Sequence, residues 1–275
     1  MNLGKFLRAF APVIAVAMAA GVSGCDGANI TINGEEGKKL SELDLTGKAP
    51  DEIALLGPDQ VEVTSGDKLA ITVDGDPEVV EHMRFALKDG SLAILREGKF
   101  KLSGDKVAVV HVTMPAPRKI NMLGSGKITA AALAPDAEVT VAGSGQIEAG
   151  SVSGGKLEVT LPGSGSFRAA GNVGTLDLTI LGSGSAQLDA VKVDKAKVTI
   201  AGSGGAAFTS DGEVKADILG SGTVTVKGRA RCTVSAMGSG KLVCETPAQS
   251  ADKDDKTEAP QAPEPPKAPE APAAP

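Results

Sequence analysis

Residues 118–246 alternate apolar and polar positions in short runs, and each run halts at Gly-Ser-Gly before the next begins. LEVTLPGSGSFRAAG at 157–171 is preceded by AEVTVAGSGQIEAGS and followed by LDLTILGSGSAQLDA. The first glycines are Gly124, Gly143, Gly163, Gly182, Gly202, Gly220 and Gly238, spaced by 18 to 20 residues. That period is too short for helix-pair repeats or propeller blades and suits one turn of a β-solenoid. Counting back from the glycine, position −2 (Met122, Val141, Leu161, Ile180, Ile200, Ile218, Ala236) and position −4 (Ile120, Val139, Val159, Leu178, Val198, Ala216, Val234) are apolar throughout. Position −3 between them (Asn121, Thr140, Thr160, Thr179, Thr199, Asp217, Ser235) is polar throughout. Positions +4 and +6, from Ile128 and Ala130 to Leu242 and Cys244, are apolar again. Period-two alternation on both sides of a fixed glycine pair reads as strand, corner, strand.

The predicted fold is therefore all-β: a parallel β-helix, or β-solenoid, with coils of about 19 residues and Gly-Ser-Gly corners. At about 4.8 Å per strand, seven coils make a rod roughly 34 Å long. Glycine takes positive φ without steric cost, and stacked corners exclude side chains. The serine hydroxyls are placed to form a ladder between levels. Upstream, ITI near 30, LDL near 43, IALL near 53, VEVTS near 61, LAITV near 69, LAIL near 92 and VAVVHVTM near 107 read as strands. DPEVVEHMRFAL at 76–87 hints at a short helix. This part reads as irregular coils that begin and cap the same solenoid, with a separate small β domain as the alternative.

The two ends change the organisation. Lys5 and Arg8 followed by FAPVIAVAMAAG make a basic, then apolar, targeting segment. It ends in VSGC at 22–25, which resembles a bacterial lipobox and marks Cys25 for acylation. The alternative is an ordinary secretory signal cut after Gly21 or Gly24, with Cys25 a spare thiol. Residues 247–275 hold half of the chain's 16 prolines and no Val, Ile, Leu or Phe, so they are expected to stay disordered, as a spacer or a solvated extension. The expected organisation is signal peptide 1–24, irregular coils 25–117, regular solenoid 118–246 and tail 247–275.

Composition narrows the partners. With no Trp or Tyr and 6 Phe, the core must be thin and regular. The net charge of −6, or −8 once Lys5 and Arg8 leave, disfavours nucleic acid and anionic membrane surfaces. Of the three cysteines, Cys232 and Cys244 stand six before and six after Gly238 on inward columns. An oxidising compartment would join them, worth roughly 3 kcal/mol in the chain-entropy model; two buried free thiols are the alternative.

The run VEVTSGDKLAITVDGDPEVVEHMRFALKDGSLAIL, then VAVVHVTMPAPRKINMLGSGKI, then serial GSG strands, is similar to the head GIN domain family, auto-transporter adhesin heads of bacterial envelopes. The resemblance spans about 29–245, implies a parallel β-helical surface protein, and lends no catalytic residues. No membrane-barrel segment follows the repeats in this sequence, so a lipid anchor would take its place.

An enzyme on this fold would need clustered carboxylates. Position −5 (Lys119, Glu138, Glu158, Asp177, Lys197, Lys215, Thr233) stacks three acids, which could bind a cation or simply form a solvated face with flanking lysines. His82 and His111 are far apart and sit beside apolar residues. Sugar platforms usually rely on Trp or Tyr, which are missing, and ice binding would need two threonine columns. The expectation is a non-enzymatic envelope lipoprotein without metal or cofactor, held to the membrane by lipid. Its partner would be an unidentified envelope or extracellular protein or glycan, met as an adhesin-like rod or a scaffold; the alternative is a carbohydrate-binding or polysaccharide-active β-helix protein. Asp26 after the lipobox cysteine leaves the choice between inner and outer membrane open.

Overall fold

The computed structural model describes residues 16–18, 30–32, 35–97 and 106–245. Cys25 and the tail 247–275 lie outside the described residues, as does the targeting segment apart from 16–18.

The regular coils follow from the columns. Strands β10 (Lys119–Gly124), β12 (Ala137–Gly143), β13 (Gln146–Gly163), β14 (Ser166–Gly182), β15 (Ser185–Gly202), β16 (Gly205–Gly220) and β18 (Arg231–Met237) pair in parallel on one side. The corner glycines from Gly124 to Gly220 stand directly in register there. Past the corner, β11 (Lys127–Ala130), the first halves of β13 to β16, β17 (Thr223–Lys227) and β19 (Lys241–Glu245) pair in parallel on a second side. Register shifts after Ala149, Arg168 and Leu188 mark a further bend, beyond which Val152, Val173 and Val193 are buried on a short third side. One chain segment therefore runs as a single long strand from one corner to the next.

The interior is filled by alternation of size. Phe167 stands beside Ala169, Ala186 beside Leu188, and Ala206 beside Phe208, so each level offers one large and one small side chain. All six are nearly or fully buried. This is how a chain with so few aromatics reaches close packing.

Each corner forces its glycines. The serine N–H donates across to the carbonyl of the first glycine one coil earlier, as Ser183 does to Gly163 at 3.0 Å. Gly182 has φ +124°, and a Cβ there would lie 2.6 Å from that same carbonyl oxygen. A Cβ on the second glycine of the next coil, Gly204, would meet Ile180 Cγ2 at 2.5 Å. The ladder expected of the serine hydroxyls is carried by their backbone N–H groups instead; the hydroxyls are on exposed residues and make no hydrogen bond among the described residues.

The N-terminal part continues the stack but not in chain order. β4 (Glu52–Gly57) and β5 (Gln60–Ser65) pair in parallel with β10 and β11, with Gly57 in register with Gly124. The coil beneath them is β8 (Ser91–Arg96) and β9 (Val109–Met114). β6 (Ala70–Asp74) and β7 (Met83–Lys88) close that end by antiparallel pairing with β9 and β8. Asp89 (φ 51°) and Gly90 (φ 80°) form the tight β7–β8 turn that Asp-Gly favours. The expected helix is confined to α1 (Pro77–Glu81), capped by the Asp76 carboxylate accepting from the Glu78 N–H at 3.0 Å; MRFAL, which follows, is strand.

LDL near 43 is not a strand. The Asp44 carboxylate accepts from both the N–H and the hydroxyl of Thr46, a local turn that competes with a ladder, while Leu43 and Leu45 pack on the core. A 3-10 turn at Leu40–Glu42 precedes it. Short strands β1 (Val16–Met18), β2 (Ile30–Ile32) and β3 (Glu35–Glu36) form a separate antiparallel ribbon.

Candidate functional site

Positions −3, −5 and −7 project outward from the first side of the stack. Thr140, Thr160, Thr179 and Thr199 are successive neighbours in register, bounded by Asn121 and Asp217. Position −5 begins one coil earlier than the repeats reveal, at Glu52, and continues through Lys119, Glu138, Glu158 and Asp177 to Lys197 and Lys215.

On the lower coils Lys119, Glu138 and Glu158 are paired. Lys119 Nζ lies 3.0 Å from Glu138 Oε2, and Lys156 Nζ lies 2.6 Å from Glu158 Oε2, which raises the Lys156 pKa above its ordinary value. Glu52 is pushed up by burial, opposed by Lys119 and by the Asn121 amide that donates to it at 2.7 Å. Among the described residues no group of three or more His, Cys, Asp or Glu is arranged to hold a metal ion. The upper coils differ: an open depression of about 510 Å³ is lined by Lys195, Lys197, Lys215 and Arg231, with Thr175 and Thr233 also on its walls.

A second depression, about 620 Å³, lies on the side after the corner, floored by alanines and rimmed by Glu148, Arg168, Gln187 and Asp189. On the same side His111 bridges two carboxylates, Nδ1 to Glu62 and Nε2 to Asp74, each at 3.1 Å. His82 ends α1, its N–H bonded to the Val79 and Val80 carbonyls.

The family model described as "putative auto-transporter adhesin, head GIN domain" matches residues 49–230. The chain belongs to the head GIN domain family. Its fold is shared with the crystal structure of a putative adhesin from Bacteroides fragilis, at 19% identity and a TM-score of 0.67, over 72% of this chain and 93% of that one. A putative lipid binding protein from Parabacteroides distasonis (21% identity, TM-score 0.57, 72% and 94% covered) has the same fold. So does a putative adhesin from Parabacteroides merdae (19% identity, TM-score 0.55, 73% and 94% covered). No match was found among the curated proteins.

The last described coil of the head GIN solenoid, 231–245, lies beyond the family match, and there Cys232 and Cys244 form a disulfide across the Gly238 corner. The columns they occupy are buried from Ala137 to Val214 and from Ala130 to Val226, but Cys232 is half-buried and Cys244 exposed, because no coil among the described residues covers them. Of the corner residues named from sequence, all seven first glycines have positive φ, between 115° and 138°.

Two features of this head GIN domain escape sequence reading. Position −7 (Lys156, Thr175, Lys195, Glu213, Arg231) joins position −5 to make the charged depression, and counting two residues further back would have found it. The pair Asp59 and Arg96 is hidden because the capping strands separate its coils from the periodic region.

Proposed function

We propose that the chain is a non-enzymatic lipoprotein of the bacterial cell envelope, anchored through acyl groups on Cys25, whose solenoid side binds an extended partner as an adhesin-like rod or a scaffold. The observation that carries this reading is the unbroken series of in-register polar columns over the coils from Lys119 to Lys215. Each coil adds another outward polar row one rung higher, which suits a long partner better than turnover of a small one. Membership of a family described as adhesin heads supports a surface or envelope role. No helix among the described residues is long and apolar enough to cross a membrane, and a lipid on Cys25 would supply the anchor.

Metabolic labelling with an alkyne fatty acid tests the anchor. The full chain should carry the label and sediment with membranes, and Cys25→Ala should lose both. An unlabelled wild type, or label retained on Cys25→Ala, would overturn the lipoprotein reading.

A further inference from the structure

The upper three coils carry a charge arrangement that the fold does not need. Lys197 and Lys215 stand directly in register on adjacent parallel strands, and Lys195, Glu213 and Arg231 stand in register beside them. Like charges directly opposite each other on neighbouring strands are destabilising. Elsewhere this protein neutralises such neighbours: Lys119 with Glu138, Lys156 with Glu158, and, on these same upper coils, Lys192 with Asp211 and Lys227 with Asp189. In the depression Glu213 stands in register between Lys195 and Arg231, and Asp177 beside Lys197, without closing on them. Among the described residues none of Lys195, Lys197, Lys215 and Arg231 is in an ion pair, and Glu213 holds none of them within bonding reach. A chain of net charge −6 thus places four cations outside any ion pair, with one carboxylate, Glu213, around a concave site of about 510 Å³.

We infer that this depression is a binding site for an acidic polysaccharide, a chain with a carboxylate on successive sugar units. The inference rests on the binding-protein reading above and names its ligand class. The cations are distributed over three coils along the rod axis, so they match repeated charges better than a single anion. The Thr175 and Thr233 hydroxyls on the walls can bond sugar hydroxyls. No aromatic side chain lines the site, which removes the stacking platform that single-stranded nucleic acid relies on. Recognition would be by charge and hydroxyl contacts alone.

The test is binding of the full chain to polygalacturonate, with dextran, poly-glutamate and phosphatidylglycerol vesicles as comparisons. Polygalacturonate should bind, dextran should not, and affinity should fall about tenfold or more between roughly 50 and 200 mM salt. Lys197→Gln with Lys215→Gln should weaken binding by about tenfold, while Tm stays equal or rises because a like-charge contact is gone. That split separates a ligand site from a structural role. No binding, binding unchanged in the double variant, or equal binding to poly-glutamate or to vesicles would overturn the assignment. Shortening of the polygalacturonate during incubation would instead overturn the non-enzymatic reading and leave the site standing.

Discussion

Arg96 and Asp59 form a buried ion pair at the position where every later coil carries Gly-Ser-Gly. Register places Gly57 and Asp59 against Gly124 and Gly126 in the coil above, and places Arg96 beneath Gly57 in the coil below. Arg96 Nε donates to Asp59 Oδ2 at 2.9 Å and Nη2 to Oδ1; Oδ1 also accepts from the Ala108 N–H at 2.8 Å. Arg96 Nη1 reaches the Lys106 carbonyl at 3.2 Å. β8 ends at Arg96 and β9 begins at Val109, a longer connection than the Gly-Ser-Gly of the later coils.

Removing one partner of that pair strands a buried charge. Asp59→Ala should destabilise by about 3–5 kcal/mol, whereas Asp59→Leu combined with Arg96→Met should recover most of the loss. Chemical denaturation of the three proteins measures both; a single variant within 1 kcal/mol of wild type would show that the pair does not hold the corner.

Gly182→Val should cost more than about 2 kcal/mol, because it adds positive-φ strain and pushes a side chain against the Gly163 carbonyl that Ser183 needs. Ser183→Ala should stay within about 0.5 kcal/mol, since the exposed hydroxyl has no partner among the described residues. The contrast between the two midpoints is the test.

Breaking the Cys232–Cys244 bond acts on a coil that pairs with one neighbour among the described residues. In a nearest-neighbour stack the loss is local, so Cys244→Ser should raise hydrogen exchange across 231–245 and leave 137–200 protected. The chain-entropy contribution is about 3 kcal/mol, enough to fray the terminal strands. Uniform loss of protection along the rod would contradict this.

Glu52 makes stability depend on pH. Its pKa is raised in the folded protein, chiefly by burial, so the native state holds its proton more tightly than the unfolded chain does. Stability contributed by this group is therefore lost as pH rises from the ordinary carboxylate value through the raised one. Glu52→Gln should lack that slope, and its Tm relative to wild type should climb across the same window and then level off. A constant difference at every pH would refute the assignment.

The regular coils were legible because a solenoid writes each spatial column into the sequence at one period. Met122, Val141 and Leu161 are neighbours in space for the same reason that they are 19 or 20 residues apart. The cap was only partly legible: β6 and β7 pair antiparallel, and β10 skips β8 and β9 to pair with β4, relations that no local pattern encodes. Asp44 escaped detection as a strand breaker because LDL fits the alternation while its carboxylate binds two residues ahead. Of the candidate site, position −5 was visible as a column, but its meaning on the upper coils depends on position −7 and on which charges find partners, which only the side-chain geometry shows.

The most direct test of the envelope assignment is trypsin treatment of cells carrying an epitope at the C-terminus, since Lys253, Lys256 and Lys267 lie in the segment without Val, Ile, Leu or Phe. The epitope should be lost without release of cytoplasmic protein, from intact cells if the rod faces outward, or once the outer membrane is opened if it serves as a periplasmic scaffold. An epitope protected until the inner membrane is broken would contradict it.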